Sequence, residues 1–356
     1  MSAEYATFGL APAMRAGGVL ASGACQTHRD FMDFIVDGKP LLFQLCDLDA
    51  VSPLASDVPP AILLAEVRTL LLDTPTRLAG GRCVIYACPE CQSLECGAVT
   101  AVIERDGADI VWRDFAWQTA DHADLELNGY HGLGPFRFRA DAYRATLERL
   151  LTNLTDLADI TDAVAAGWAP PRSRRALLIG ARVAVLARLA AALRSIGIGA
   201  DISRDARRVS ATELRAYGAV AFGRAVDEPA RAAVRAAFDA VGAEVAYVDG
   251  LAPIIPVLVA QIEHALDRNP PERRRLTTLT AHDGRALVEV ASTCQVRLLA
   301  YRLDRLYRTR ERSVFAGTLE PGEHRIPLDD RVVGGRSFLV ARTLENVLVT
   351  PVTQEL

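Results

Sequence analysis

Between Ala176 and Asp267 the chain alternates short apolar runs with amphipathic stretches, and this alternation restricts the possible folds more than any other feature of the sequence. ALLIG (176–180) has the length and composition of a buried strand, and Val185, Leu189 and Leu193 then recur on one helical face that stops at Gly197. IGADIS (198–203) reads as the second strand, after which Ser210 and Glu213 form a capping box on a short helix. GAVAFG (218–223) is the third strand; Pro229 suits the first turn of the next helix, whose Val234, Phe238 and Val241 face the sheet before Gly242 ends it. EVAYVD (244–249) and a helix from about Ile254 to Asp267 complete the pattern. Strict alternation of this kind predicts a parallel sheet covered on both faces, a doubly wound layer of Rossmann-like or receiver-like type.

Proline clusters flank that layer. GWAPPRSRR (167–175) precedes it and Asn269-Pro270-Pro271 follows it, and both read as boundaries. The expected organisation of this multidomain α/β chain is a partly disordered leader over 1–30, an α+β module over 31–166, the Rossmann-like domain over 175–268 and a β-sandwich over 272–356. In the module, FMDFIV and PLLFQL around Asp37-Gly38 carry a hairpin signal, AILLAEVRTLLL (61–72) reads as a helix and RCVIYA (82–87) as a strand. AVTAVIE and ADIVWRDF around Asp106-Gly107 make a second hairpin. A helix from Asp141 to about Ala166 places Tyr143, Leu147, Leu150, Leu151 and Leu154 on one stripe. Past Pro271, short alternating runs such as ALVEVA and CQVRLLAY suit the sandwich.

Half of the 356 residues are apolar, enough to bury sizeable cores without staples. A net charge of −4 argues against wholesale attraction to nucleic acid or an anionic membrane, and the sequence has no apolar run of the ~18 residues that a spanning helix needs. The expected partners are peptides, proteins or small molecules, with a homodimer as the commonest soluble assembly. RLDRLYRTRER (302–312) interleaves Asp304 and Glu311 with its arginines and reads as a solvated strand edge or docking face. Lys39 is the only lysine, and Pro40 after it rules out a phosphate-cradling Gly-Lys-Ser/Thr loop. Of seven cysteines, three crowd between 88 and 96; this is not the spread of a secreted disulfide framework, so a reducing, cytoplasmic compartment is expected.

The sharpest chemical signature is CPECQSLEC, in which Cys88 and Cys91 are two residues apart and Cys96 follows four residues later. A tight turn between such a pair aims both thiolates at one tetrahedral ion, and zinc in a structural role is the expected occupant. The fourth ligand stays open among Cys83, Cys46, His122 and His131. A water in its place would make the ion a Lewis acid. Three ordinary thiols in a turn, or a redox pair at Cys88 and Cys91, are the competing readings; the second usually begins a helix, and a strand is expected here.

The stretch CPECQSLECGAVTAVIERDGADIVWRDF resembles an uncharacterised bacterial protein family with a CPECGDLGCGAVT-type motif, over roughly residues 31–120. That resemblance implies a shared fold unit and no particular reaction. The overall layout is similar to the hypothetical proteins of crocagin biosynthesis, a ribosomal-peptide pathway. That likeness implies a peptide-binding protein that guides modification of a precursor peptide.

Open α/β sheets bind ligands beyond the carboxyl ends of their strands, which singles out Gly180 and Arg182, Asp201 and Arg204, Gly223 and Arg224, and Asp249 and Gly250. Arg182 and Arg224 could clamp a carboxylate or phosphate, and Asp249 could receive an amine or guanidinium; otherwise all are solvated loop residues. GARVAV (180–185) places Arg182 and Val185 where a dinucleotide fingerprint needs glycines, so no NAD is expected. ALLIG lacks the acidic cluster of a receiver, and no GxSxG or HExxH occurs. Two functional classes remain: a peptide-binding accessory protein, which these absences favour, and an oxidoreductase with a divergent cofactor pocket or a metal-assisted enzyme.

Overall fold

The computed structural model describes residues 5–19, 25–45, 48–55, 58, 60–155, 174–203, 210–267, 269, 274–304, 308–329, 332 and 336–353. The chain forms two compact units, Met1–Arg15 with Arg29–Pro171, and Ala16–His28 with Arg172–Leu356.

The first unit opens on β1 (Phe8–Arg15); β2 (Gly18–Val19) and β3 (Cys25–Gln26) belong to the second unit, and β4 (Arg29–Val36) returns to the first. β4 pairs antiparallel with β1 from Phe8 opposite Val36 to Arg15 opposite Arg29. Residues 8–15, expected within a leader, are therefore a strand. The physical reason is an aromatic anchor that local hydropathy does not reveal: the Phe8 ring lies 4.5 Å from that of Tyr143 and 5.6 Å from that of Trp112. The Asp37-Gly38 turn forms as expected, but only β5 (Lys39–Pro40) pairs beyond it, and Leu41–Leu45 is a 3₁₀ turn. Leu41 and Leu42 are both buried, which successive residues of a one-sided strand cannot be.

After α1 (Pro60–Leu70), the strands β6 (Arg82–Ala87), β7 (Ala98–Asp106) and β8 (Asp109–Gln118) form the expected meander, extended past α2 (Leu125–Asn128) by β9 (Phe136–Arg139). α3 (Ala140–Thr155) buries Tyr143, Leu147 and Leu150 in the same core as Trp112 and Phe34, and the Tyr143 hydroxyl donates to the Leu70 carbonyl at 2.9 Å. The rest of the helix expected to Ala166 lies outside the described residues.

The second unit contains the parallel layer: β10 (Arg175–Ile179), α4 (Val183–Ser195), β11 (Gly199–Ser203), α5 (Ala211–Leu214), β12 (Ala219–Phe222), α6 (Glu228–Ala240), β13 (Ala246–Asp249) and α7 (Ile255–Leu266). The sheet order is β11-β10-β12-β13 with every pair parallel. Successive residues of β10 face opposite sides: Leu178 packs with Leu189 and Ile262, whereas Leu177 and Ile179 pack with Phe238. This is why its apolar run is continuous rather than alternating.

The remaining strands are β14 (Leu276–His282), β15 (Arg285–Val290), β16 (Cys294–Leu303), β17 (Thr309–Leu319), β18 (Gly322–Pro327), β19 (Ser337–Arg342) and β20 (Val347–Pro351). They make two antiparallel sheets, β14-β15-β18 and β17-β16-β19-β20, whose inward side chains share one core, Val288 and Leu279 meeting Leu298 and Leu339. β17 is an edge strand with an exposed first half, as its charged sequence suggests. The parallel layer and these sheets, each with its own core, fall within the same compact unit. Ion pairing and hydrogen bonding join them: Glu263 on α7 accepts from Arg342 on β19 at 2.8 Å, and Asp267 accepts from the Asn346 amide at 3.1 Å. Among the described residues no helix is long and apolar enough to cross a membrane.

His264 on α7 is half-buried, and its Nδ1 has no hydrogen-bond partner among the described residues. Burial holds the imidazole below its ordinary value of 6.5; Arg274 acts in the same direction, while Asp267 and a backbone contact at Val347 oppose it. As pH falls through 6.5 the unfolded chain takes up this proton before the folded one does, so stability falls with pH in that window. Thermal unfolding at pH 7.5 and 5.5 should therefore show a smaller acid-induced drop in Tm for His264→Leu than for the parent protein. An equal drop in both would remove His264 as a cause.

Candidate metal centre and ligand cleft

The cysteine loop runs from the end of β6 to the start of β7, whose flanking residues Ala87 and Ala98 are paired across the ladder. Local backbone bonds coil it: the Gln92 amide donates to the Cys88 carbonyl at 2.9 Å, and the Ser93 hydroxyl caps Leu94–Cys96 by accepting from the Glu95 amide at 3.1 Å. The result places the Cys88, Cys91 and Cys96 sulfurs within 4.8 Å of one another. Three thiolates on a tetrahedral zinc with bonds of ~2.3 Å lie ~3.8 Å apart, so the donor set fits such an ion with little adjustment.

Hydrogen bonding within the group separates the thiols. Cys91 is drawn below the ordinary thiol value, first by its bond with Cys96 and then by the Ser93 backbone, whereas Cys96 is pushed up to about 11 by bonding to Cys91 and Cys88 and by their charge. A backbone N–H aimed at sulfur favours the thiolate, the form that binds metal.

Two contacts with residues distant in the chain support the loop. Arg15, with its side chain 7% exposed, donates to Glu90 at 2.6 Å and forms a bidentate pair with Asp49 at 2.7 and 2.8 Å, so the acid between the first two cysteines is tied to β1. Gly97 has φ +95° and sits against the face of Trp117, where any Cβ would overlap the indole. The aromatic content of β8 was legible, but no local signal connects Arg15 to a residue 75 positions later.

None of the described candidates for a fourth ligand joins the group. Cys83 is buried on β6, and burial pushes its thiol up to about 12, which suits a packed core residue. His122 and His131 are exposed and lie outside the cluster. Cys46, like Arg204, lies outside the described residues. Cys91 and Cys96 are exposed, and Cys88 is half-buried.

The second candidate site lies in the parallel layer. β10 and β12 are adjacent, yet the chain passes from β10 to β11 on one side and onward to β12 on the other, which opens a crevice at their carboxyl ends. Gly180 and Gly223 face each other there, and a Cβ on Gly180 would come within 3.5 Å of the Gly223 Cα. A cleft of about 310 Å³ occupies the crevice, walled by Val185, Leu186 and Leu189 of α4 and by Leu258 and Ile262 of α7. Arg182 and Arg224 both line it; both are exposed, and neither has an ion-pair or hydrogen-bonded side-chain partner among the described residues.

Asp249 does not line the cleft. It is paired with Arg231 of α6, which also lies over the Phe222 ring, so this carboxylate is engaged rather than waiting for an amine. Asp201 is set back in β11 opposite Leu177, where it accepts from Arg175 at 2.7 Å and from the Tyr217 hydroxyl at 3.2 Å. It is thus removed from the strand ends where a ribose-binding acid is needed. Comparison of the chain with protein-family models, curated proteins and solved structures finds no match, so both sites are read from this chain's own residues.

Proposed function

We propose that this chain is a peptide-binding accessory protein, in which a structural zinc ion on Cys88, Cys91 and Cys96 stiffens the first unit and the cleft of the parallel layer receives the ligand. The observation that carries this reading is the chemistry of the cleft wall. Among the described residues, apart from two guanidinium groups, it offers only glycine, alanine, proline, aliphatic and phenylalanine side chains, with no side-chain nucleophile, general base or ribose acceptor. Such a wall binds and orients; it lacks the groups that transfer protons or acyl chains. In the working protein, bound peptide would be presented for modification by a separate enzyme, in keeping with the resemblance to ribosomal-peptide proteins, and the chain would act as a cytoplasmic homodimer.

Native mass spectrometry of the purified protein tests the reading. The expected species is a dimer with about one zinc per chain and no nucleotide, and a fluorescently labelled pool of ten-residue peptides should bind saturably by anisotropy. Retained flavin or NAD, or absence of peptide binding, would overturn the assignment. The exposed Cys91 and Cys96 favour one other reading, a metal-assisted enzyme with water at the fourth position. Chelation separates the two: removal of a structural ion should lower the Tm of the first unit by several degrees, whereas removal of a catalytic ion should leave the melt unchanged.

A further inference from the structure

We infer that the cleft between α4 and α7 is a C-terminal carboxylate subsite: it takes the last residue of a peptide, with an apolar side chain inside and the free α-carboxylate on Arg182 and Arg224. The inference rests on the peptide-binding reading and names what that site recognises.

Size, polarity and charge each narrow the ligand. About 310 Å³ stands at the small end of ligand pockets, room for one side chain and its terminal group and too little for a dinucleotide. The walls are aliphatic, so the inserted group is apolar. Among the described residues no carboxylate lines the cleft, so an amino terminus or lysine would find no charged partner there, whereas an anion meets two guanidinium groups. Neighbouring arginines of the layer are already committed, Arg175 to Asp201 and Arg231 to Asp249; Arg182 and Arg224 have no such partner among the described residues. The first turn of α4, whose cap position is Arg182 and which no side chain caps, adds the positive end of the helix dipole to the attraction. A phosphate ester of a nucleoside commonly uses side-chain acceptors for its ribose, and the described wall has none.

A small branched acid shares this chemistry with a peptide terminus, and the test separates them. N-acetyl-glycyl-leucine, its C-terminal amide and 4-methylpentanoate would be titrated into the intact protein by calorimetry or ligand-observed NMR. The free acid should bind at least tenfold more tightly than the amide, and more tightly than 4-methylpentanoate, which has no peptide backbone. Arg182→Gln and Arg224→Gln should each weaken the acid several-fold, leave the amide unchanged and, since both side chains are exposed, leave the Tm unchanged. Equal binding of acid and amide, no binding of either, or indifference to both substitutions overturns the subsite. Tighter binding of 4-methylpentanoate than of the dipeptide also overturns it, in favour of a small-acid site. The labelled ten-residue pool keeps the two proposals apart: if free and amidated pools bind alike, peptide binding stands and the terminal subsite falls; if neither binds, both fall.

Discussion

Replacing Arg342 with methionine should destabilise the second unit by about 3–5 kcal/mol, the usual loss when one partner of a buried ion pair is removed and the other is left uncompensated. Glu263 is fully buried on α7, and its Oε2 receives Arg342 at 2.8 Å; the same guanidinium nitrogen donates to the Gly17 carbonyl at 2.6 Å. His28, also fully buried, approaches the other carboxylate oxygen at 3.6 Å. Without the guanidinium the fully buried carboxylate loses its charged hydrogen-bond donor. For a unit of this size each kcal/mol lowers Tm by roughly 2–4 °C, so a fall on the order of 6–20 °C is expected by calorimetry. The double variant Arg342→Met with Glu263→Leu should recover most of the loss, because an apolar pair of similar volume has no desolvation penalty to offset. A single variant that melts within 2 °C of the parent would show that the pair contributes nothing.

Alanine at Gly97 is the second large effect. The backbone there, at φ +95° and ψ 151°, lies in a region that side-chain-bearing residues enter at a cost of about 1–3 kcal/mol. The added methyl would also fall on the Trp117 ring, so the indole or the loop must move. Together these should lower the Tm of the first unit by roughly 6–12 °C, for about 3 kcal/mol. The same movement displaces Cys96, the residue before Gly97. Zinc content measured by elemental analysis should therefore fall well below that of the parent protein, even at temperatures where the fold survives. A variant that melts lower yet keeps its full zinc complement would separate the glycine from the metal site.

These two positions differ in how far the sequence reveals them. CPECQSLEC announces a candidate metal loop because a short spacing forces sulfurs together whatever the rest of the chain does, and the structure brings all three within 4.8 Å. Gly97 is conspicuous as a turn residue, but its need for the missing Cβ depends on Trp117, twenty positions away on the neighbouring strand. Nothing local to Arg342 marks it as the partner of Glu263, since the bond crosses from a helix of the parallel layer to a strand 79 residues later. The cleft shows the same division. Arg182 and Arg224 follow from the rule that ligands gather beyond strand ends, and both line it; Asp249 follows from the same rule and is engaged by Arg231 instead.

Local order is what the sequence by itself determined: the βα alternation of the parallel layer, the β6–β8 meander, and the clustering of three cysteines. Each is carried by periodicity or spacing within about fifteen residues, the range over which hydrophobic pattern and turn chemistry act without help. Only the tertiary structure decided that residues 8–15 are a strand, that LLFQL coils into a 3₁₀ turn, and that the parallel layer and the C-terminal sheets share one compact unit. Those outcomes come from contacts between residues far apart in the chain. Packing of Phe8 against distant rings, or burial of a carboxylate beside a distant guanidinium, contributes free energy that no local window contains.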